Sequence, residues 1–306
     1  MNGTREDFCR DLLDDDPREA LDPETLAARF VRYFDVPARP TMDELKALLK
    51  RTGFGEVSGT RHMDAKGIHY SSPNGGYDIH YREDLWEGTQ HYSVIHETYE
   101  IVHETLCDMH SGSQPDRKVC RQAERFAAAV LMQPRVFEPL ALEWGLDILA
   151  LHRAFQCSYS AVAIRLTEVL QEPPLMALVY ETPDRRSPRL WTEPADLRAN
   201  VVRRTRGFGV PKSYLFTGNR GGLPRSDRPI PDGSLAEQAA RRGYPQFGKA
   251  DGYVAIAQPV IWSGKLGKVV VVAVPERYFG VIVPQMEALY LGRRKPRPVA
   301  APVGPW

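Results

Sequence analysis

The pattern of apolar and polar positions divides the chain into helical and extended stretches. Helical periodicity over Pro23–Phe34 starts at Asp22, which can cap the helix with Pro23 at its first position. Val36-Pro37-Ala38-Arg39-Pro40 breaks the chain, and Thr41 then caps a second helix running to about Lys50. Glu44 stands at the capping-box spacing from Thr41, and Leu45, Leu48 and Leu49 form the apolar stripe. Gly53 and Gly55 stop it. Residues 56–85 read as short strands, and Gly67–Tyr70 and Tyr77–Tyr81 flank an Asn74-Gly75 hairpin signal. Helices are predicted over Thr89–Cys107, over 116–133 and, as two or three short pieces, over 143–171. Pro173-Pro174 marks a boundary before a strand at Leu175–Tyr180. Residues 205–232, rich in Gly, Pro and Arg, read as a long loop. Tyr253–Trp262 and Lys268–Val274 bracket a second hairpin turn, and 291–306 reads as a disordered tail.

These elements predict an α+β chain of four parts. They are N-terminal helices with a small hairpin sheet (1–140), a helix-turn-helix-like unit (141–172), a mixed α/β domain (173–290) and the tail (291–306). A hydrophobic share of 42% with 26% charge suits a folded chain of 306 residues and argues against full-length disorder. No run of 18 apolar residues offers a membrane span, and the N-terminus shows no apolar leader. Four cysteines in this length fit reduced thiols in the cytoplasm rather than a disulfide scaffold. The near-neutral total of +1 hides an asymmetry: residues 181–306 hold 21 Lys+Arg against 10 Asp+Glu, and residues 1–180 hold 19 against 29. A basic half can attract nucleic acid or an acidic partner, or dock on its own acidic neighbour.

All eight histidines lie between His62 and His152, seven of them before residue 111. The informative segment is Val94-Ile95-His96-Glu97-Thr98-Tyr99-Glu100-Ile101-Val102-His103-Glu104. On a helix, His96, Glu100 and His103 share one polar stripe, with Glu97 beside His96. This is the H-E-x-x-H arrangement with Glu100 replacing the second histidine. Zinc takes nitrogen or oxygen ligands at about 2.0–2.2 Å, and a catalytic site uses three plus water. The metal lowers the pKa of that water, and a carboxylate such as Glu97 can take its proton. Two carboxylates and one histidine still bind Zn2+ and move preference toward Mn2+. Glu124, a carboxylate on the apolar helix 116–133, is a candidate third ligand. The alternative for Glu124 is an exposed glutamate favoured by the helix dipole, and for the stripe a satisfied polar seam. Glu100-x-x-His103 also matches the di-iron bundle motif, but the chain holds no second Glu-x-x-His.

With these residues in place, the order S-x-x-H-E (Ser93–Glu97) followed by E-x-F-A-A-x-x-L-M-x-P (Glu124–Pro134) resembles the ImmA/IrrE metallopeptidases, over about residues 40–172. The resemblance implies a zincin-like, helix-rich domain in which His96, Glu100 and Glu124 hold the metal and Glu97 activates water. It also implies cleavage of a partner protein, a transcriptional repressor, in stress response or mobile-element control. Leu149–Leu166 is similar to the family's helix-turn-helix-like unit. Tyr159 or Arg165 would be its DNA readers, although the acidic charge of this half opposes phosphate binding. Longer members carry a GAF-like sensor, which would give residues 175–290 an unidentified small-molecule ligand. Because Glu100 stands where the family has its second metal histidine, three states stay open. Glu100 ligates; or His103, about 10 Å along the helix from His96, does so instead; or the site is degenerate and the protein is a non-catalytic regulator.

Overall fold

Side-chain caps set the first three helices. In α1 (Arg5–Leu13) Thr4 and Asp7 form a capping box. In α2 (Pro23–Phe34) the Asp22 carboxylate accepts from the Thr25 N–H, and Asp35 ends the helix in the left-handed region, φ 51°. In α3 (Met42–Arg51) the Glu44 N–H donates to the Thr41 hydroxyl oxygen at 3.2 Å, and the Thr41 N–H donates to the Glu44 carboxylate at 2.8 Å. The last two helices begin where the sequence predicts. Thr41→Ala removes the hydroxyl that accepts from Glu44, leaves the backbone N–H donor in place, and is expected to cost about 1 kcal/mol. Urea unfolding would read this as a lower midpoint at unchanged slope.

The structure is a computed structural model that describes residues 3–14, 22–73, 76–109, 119–182, 194–206, 208–209, 214–217, 225–262, 264–278 and 284–286. The Asn74-Gly75 turn, His110, residues 207, 210–213 and 218–224 of the predicted loop at 205–232, and the tail 291–306 lie outside the described residues. The chain forms two compact units. One holds the described residues up to Val136 with Ala154–Cys157, and the other holds Phe137–Arg153 and the described residues from Ser158 on. The architecture is α+β.

In the first unit β1 (Gly55–Thr60) runs parallel to β3 (Tyr77–Arg82), and β2 (Gly67–Ser71) runs antiparallel to β3. The order β1-β3-β2 leaves β2 at an edge. Gly67 faces Tyr81 and Ser71 faces Tyr77, which is the predicted hairpin. A glycine is needed at Gly55, where φ is 136° and an added Cβ would lie 1.5 Å from the Tyr77 carbonyl oxygen. Two helices pack together beside the sheet, α4 (Glu87–Met109) and α5 (Val119–Leu131), and both β2 and β3 lie against α4. Ala127, Ala128 and Ala129 are buried on α5. The core is an aromatic cluster centred on Phe30, whose ring meets Phe34, Phe126, Phe54 and Phe8 at 5.0, 5.5, 5.7 and 6.0 Å.

Next along the chain come α6 (Pro134–Glu143) and α7 (Ile148–Phe155), each mostly in the second unit, and α8 (Tyr159–Val169), wholly in it. A five-stranded antiparallel sheet follows, in the order β5-β4-β8-β7-β6. Its strands are β4 (Met176–Glu181), β5 (Arg198–Arg204), β6 (Gln246–Ala250), β7 (Tyr253–Trp262) and β8 (Lys265–Pro275). Two helices lie between β5 and β6 in sequence, the one-turn α9 (Tyr214–Thr217) and α10 (Leu235–Arg242). One sheet face forms a core with α10, where Met176, Leu178, Tyr180, Ala255, Ala257, Val269 and Val271 meet Leu235, Ala236 and Ala239.

Helix α8 packs on β4 and β5, and the Asn200 amide donates to the Ser160 hydroxyl at 3.3 Å. This packing removes Arg165 and Tyr159 as DNA readers. Arg165 is fully buried, and the Tyr159 ring stacks on His152 with centroids 3.9 Å apart. Helices α7 and α8 keep the short turn of a helix-turn-helix, with Gln156 in the left-handed region at φ 54°. The second helix, however, covers a sheet, whereas a reading helix must present its residues to a groove. Among the described residues, no helix is long and apolar enough to cross a membrane.

Candidate metal centre

Helix α4 is buried on most of its circumference. Val94, Ile95, Tyr99, Ile101 and Val102 are fully shielded from solvent. The hydroxyls of Ser93, Thr98 and Thr105 donate back to the carbonyls four residues earlier, so these side chains are satisfied inside the helix. His91 is also buried. Burial pushes its pKa down, against the opposing charge of Glu87, whose carboxylate lies 3.9 Å away.

Glu97 is 6% exposed and lies under strand β2. Gly67 allows this approach, because a Cβ there would come within 2.9 Å of Glu97 Oε1 and 3.2 Å of Ser93 Cβ. Two residues on, and therefore on the same face of the strand, His69 meets the helix. Its Nδ1 is 2.7 Å from Glu97 Oε2 and its Nε2 is 3.1 Å from Glu104 Oε1. Burial pushes the His69 pKa down, but the hydrogen bonds and charges of Glu97 and Glu104 outweigh it, and the net direction is up. Strand β2 therefore reverses the usual arrangement: its large apolar residues Ile68 and Tyr70 are exposed, and its histidine turns inward.

Glu100 is half-buried, one turn along from His96, with His96 Nε2 3.3 Å from Glu100 Oε1. The His96 hydrogen bond holds the Glu100 carboxyl below its ordinary range against the effect of burial, and the charges of His96, His69 and His103 act in the same direction. Ligand atoms of His69, Glu97 and Glu100 all lie within 4.8 Å of one another. Among the described residues this is the group with metal-binding spacing, and it does not include His96, His103 or Glu124. His103 Nδ1 is instead 3.7 Å from the Cys107 sulfur, and its ring stacks beside Tyr99.

The Glu124 side chain is exposed on α5, while its carbonyl oxygen accepts a hydrogen bond from the Tyr92 hydroxyl of α4. Cys120 lies one turn earlier on α5. Burial raises the thiol pKa, and the carboxylates of Glu124, Glu100 and Glu97 raise it further. Of the residues that the motif reading singles out, Glu97 and Glu100 lie in the group with metal-binding spacing and His96 and Glu124 do not; His69 and Glu104 are not among its candidates. No local signal points to His69, because alternation with the apolar Ile68 and Tyr70 would place it on the outward face of β2.

Glu97, Glu100 and Glu104 gather with His69 and His96 on one side of α4. Three carboxylates beside two imidazoles, partly out of water, leave an excess of negative charge that a divalent cation would neutralise. The donors are oxygen and nitrogen, which suits a first-row divalent ion.

Residues 58–167 match the model of the Peptidase_M78 family, described as an IrrE N-terminal-like domain. Among solved structures, a Mycobacterium tuberculosis transcriptional regulator shares the fold with a TM-score of 0.57 at 16% identity. The match covers 92% of this chain and 83% of that one. No curated protein sequence matches the chain significantly. The stretch that resembles the ImmA/IrrE metallopeptidases thus overlaps a match to the IrrE N-terminal-like domain, and the matched residues include His69, His96, Glu97, Glu100, Glu104 and Glu124.

Proposed function

We propose that this chain is a metal-dependent endopeptidase of ImmA/IrrE type that cleaves a regulatory protein. The observation that carries this reading is the buried Glu97 carboxylate, held by His69 at 2.7 Å within 4.8 Å of a Glu100 oxygen. His96, Glu100 and Glu124 would hold Zn2+ or Mn2+. The bound ion supplies a water of lowered pKa and polarises the scissile carbonyl. Glu97 accepts the proton of that water and returns it to the leaving amine. His69, fixed by Glu104, keeps the Glu97 carboxylate in one orientation, which places the base before substrate arrives. Glu100 in place of an imidazole keeps a ligand at this turn of the helix and hardens the donor set. A repressor-like substrate accords with the family resemblance and with the transcriptional regulator that shares the fold. The second unit would dock that substrate or bind a small effector.

The test is elemental analysis of the purified wild type beside Glu100→Ala and Glu124→Ala. A metal bound at one ion per chain and lost from both variants is expected. The exposure of Glu124 favours a second reading, a regulatory protein around a site that does not turn over. Absence of metal from the wild type after reconstitution would establish that reading and end the hydrolytic one.

A further inference from the structure

We infer that His69, Glu97 and Glu100 form a second seat for a divalent cation, one that takes the proposed general base out of use when filled. The seat is argued from side-chain positions; that it is the second of two, and that filling it inhibits, rests on the hydrolytic reading above.

Three observations point to it. First, the ligand atoms of His69, Glu97 and Glu100 lie within 4.8 Å of one another, while His96 and Glu124 fall outside that group. Donors around one small cation, with bonds of about 2.1 Å, sit roughly 3.4 Å apart. The 2.7 Å contact of His69 with Glu97 needs to open by less than 1 Å to admit an ion. Second, the far nitrogen of His69 meets the Glu104 carboxylate at 3.1 Å. A carboxylate behind the second ring nitrogen is the usual support of a metal-binding histidine, because it fixes the ring and raises the basicity of the donor nitrogen. Third, the seat is shielded: the His69 and Glu97 side chains are 9% and 8% exposed. A shielded set of one imidazole and two carboxylates gains more from a cation than an exposed acidic surface does.

Glu100 belongs to both seats. A carboxylate offers two oxygens, and paired metal sites stand about 3.5–4 Å apart. Glu97 belongs to the second seat as a ligand and to the first as a base. A carboxylate engaged by a cation cannot accept a proton from water. Excess metal would therefore inhibit the enzyme that the first ion activates.

The test is equilibrium dialysis of the full-length protein against Mn2+, read by elemental analysis. The wild type is expected to take up a second, weaker ion after the first. His69→Ala should lose the second ion and keep the first. Glu104→Gln, which preserves the His69 ligand atom, should weaken the second ion by about ten- to a hundredfold and guards against misfolding of the alanine variant. Saturation at a single ion in wild type and His69→Ala alike overturns the second seat and leaves the proposed function standing. A single ion lost in His69→Ala but kept in His96→Ala and Glu124→Ala upholds the seat and overturns the ligand set of the proposed function. No bound ion in any form overturns both.

Discussion

Glu97→Gln is expected to lower peptide-bond cleavage by about 10²–10⁴-fold, the usual contribution of a general base, while the first metal ion stays bound. Glutamine keeps the volume of glutamate and one oxygen in a similar place. It therefore preserves the packing under Gly67, where even an added Cβ would come within 2.9 Å of the Glu97 carboxylate. It cannot accept a proton from water. The effect should fall on the chemical step, with Mn2+ uptake at the first seat unchanged. N-terminal profiling of a lysate incubated with each protein reads the result. New N-termini produced by the wild type should be missing with the variant. Equal cleavage by Glu97→Gln would remove Glu97 as the base. Loss of cleavage together with loss of the first ion would instead make Glu97 a ligand at that seat.

The chemistry of this site was partly legible in the sequence because α4 concentrates it. His96, Glu97 and Glu100 lie within five residues, and helical geometry fixes their relative directions before any tertiary contact forms. The caps at Asp22 and Thr41 were legible for the same reason, since each is a contact over three residues. His69 was not. It reaches Glu97 across 28 residues and Glu104 across 35, and that meeting depends on how β2 lies over the helix. Nor did any local pattern show that β1 pairs parallel to β3.

In the second half the β7–β8 hairpin was visible as two apolar runs around a glycine turn, and β4 as an apolar run after two prolines. Strand β5, with the sequence Arg-Ala-Asn-Val-Val-Arg-Arg, was not visible, because an edge strand can carry arginines that a central strand would exclude. The short α10 escaped too. Its burial rests on alanines, which carry little hydrophobic signal. Arg165 shows the limit from the other side: a helix-turn-helix pattern fixes the two helices but not which face the second one buries.

Phe30→Ala should destabilise the first unit more than other single core truncations, by about 3–5 kcal/mol. Phe30 is fully buried and is the hub of the aromatic cluster. Its ring lies 5.5 Å from Phe126 of α5 and 5.7 Å from Phe54, next to the start of β1. Phe126 in turn meets Tyr99 of α4 at 5.4 Å. The lost ring leaves a cavity bordered by several rigid aromatics, which cannot close it without breaking their own edge contacts. Urea unfolding of the metal-free protein gives the loss. A change below about 1 kcal/mol would mean that the cluster relaxes around the gap. The same cluster joins the helix of Glu124 to the helix of Glu100, so metal and core should be linked. An ion held by both helices binds the folded state alone, and at a hundred times its dissociation constant it returns about 2.7 kcal/mol. Saturating Mn2+ should therefore restore much of the stability that Phe30→Ala removes. A recovery that persists in Glu124→Ala would show that α5 takes no part in holding the ion.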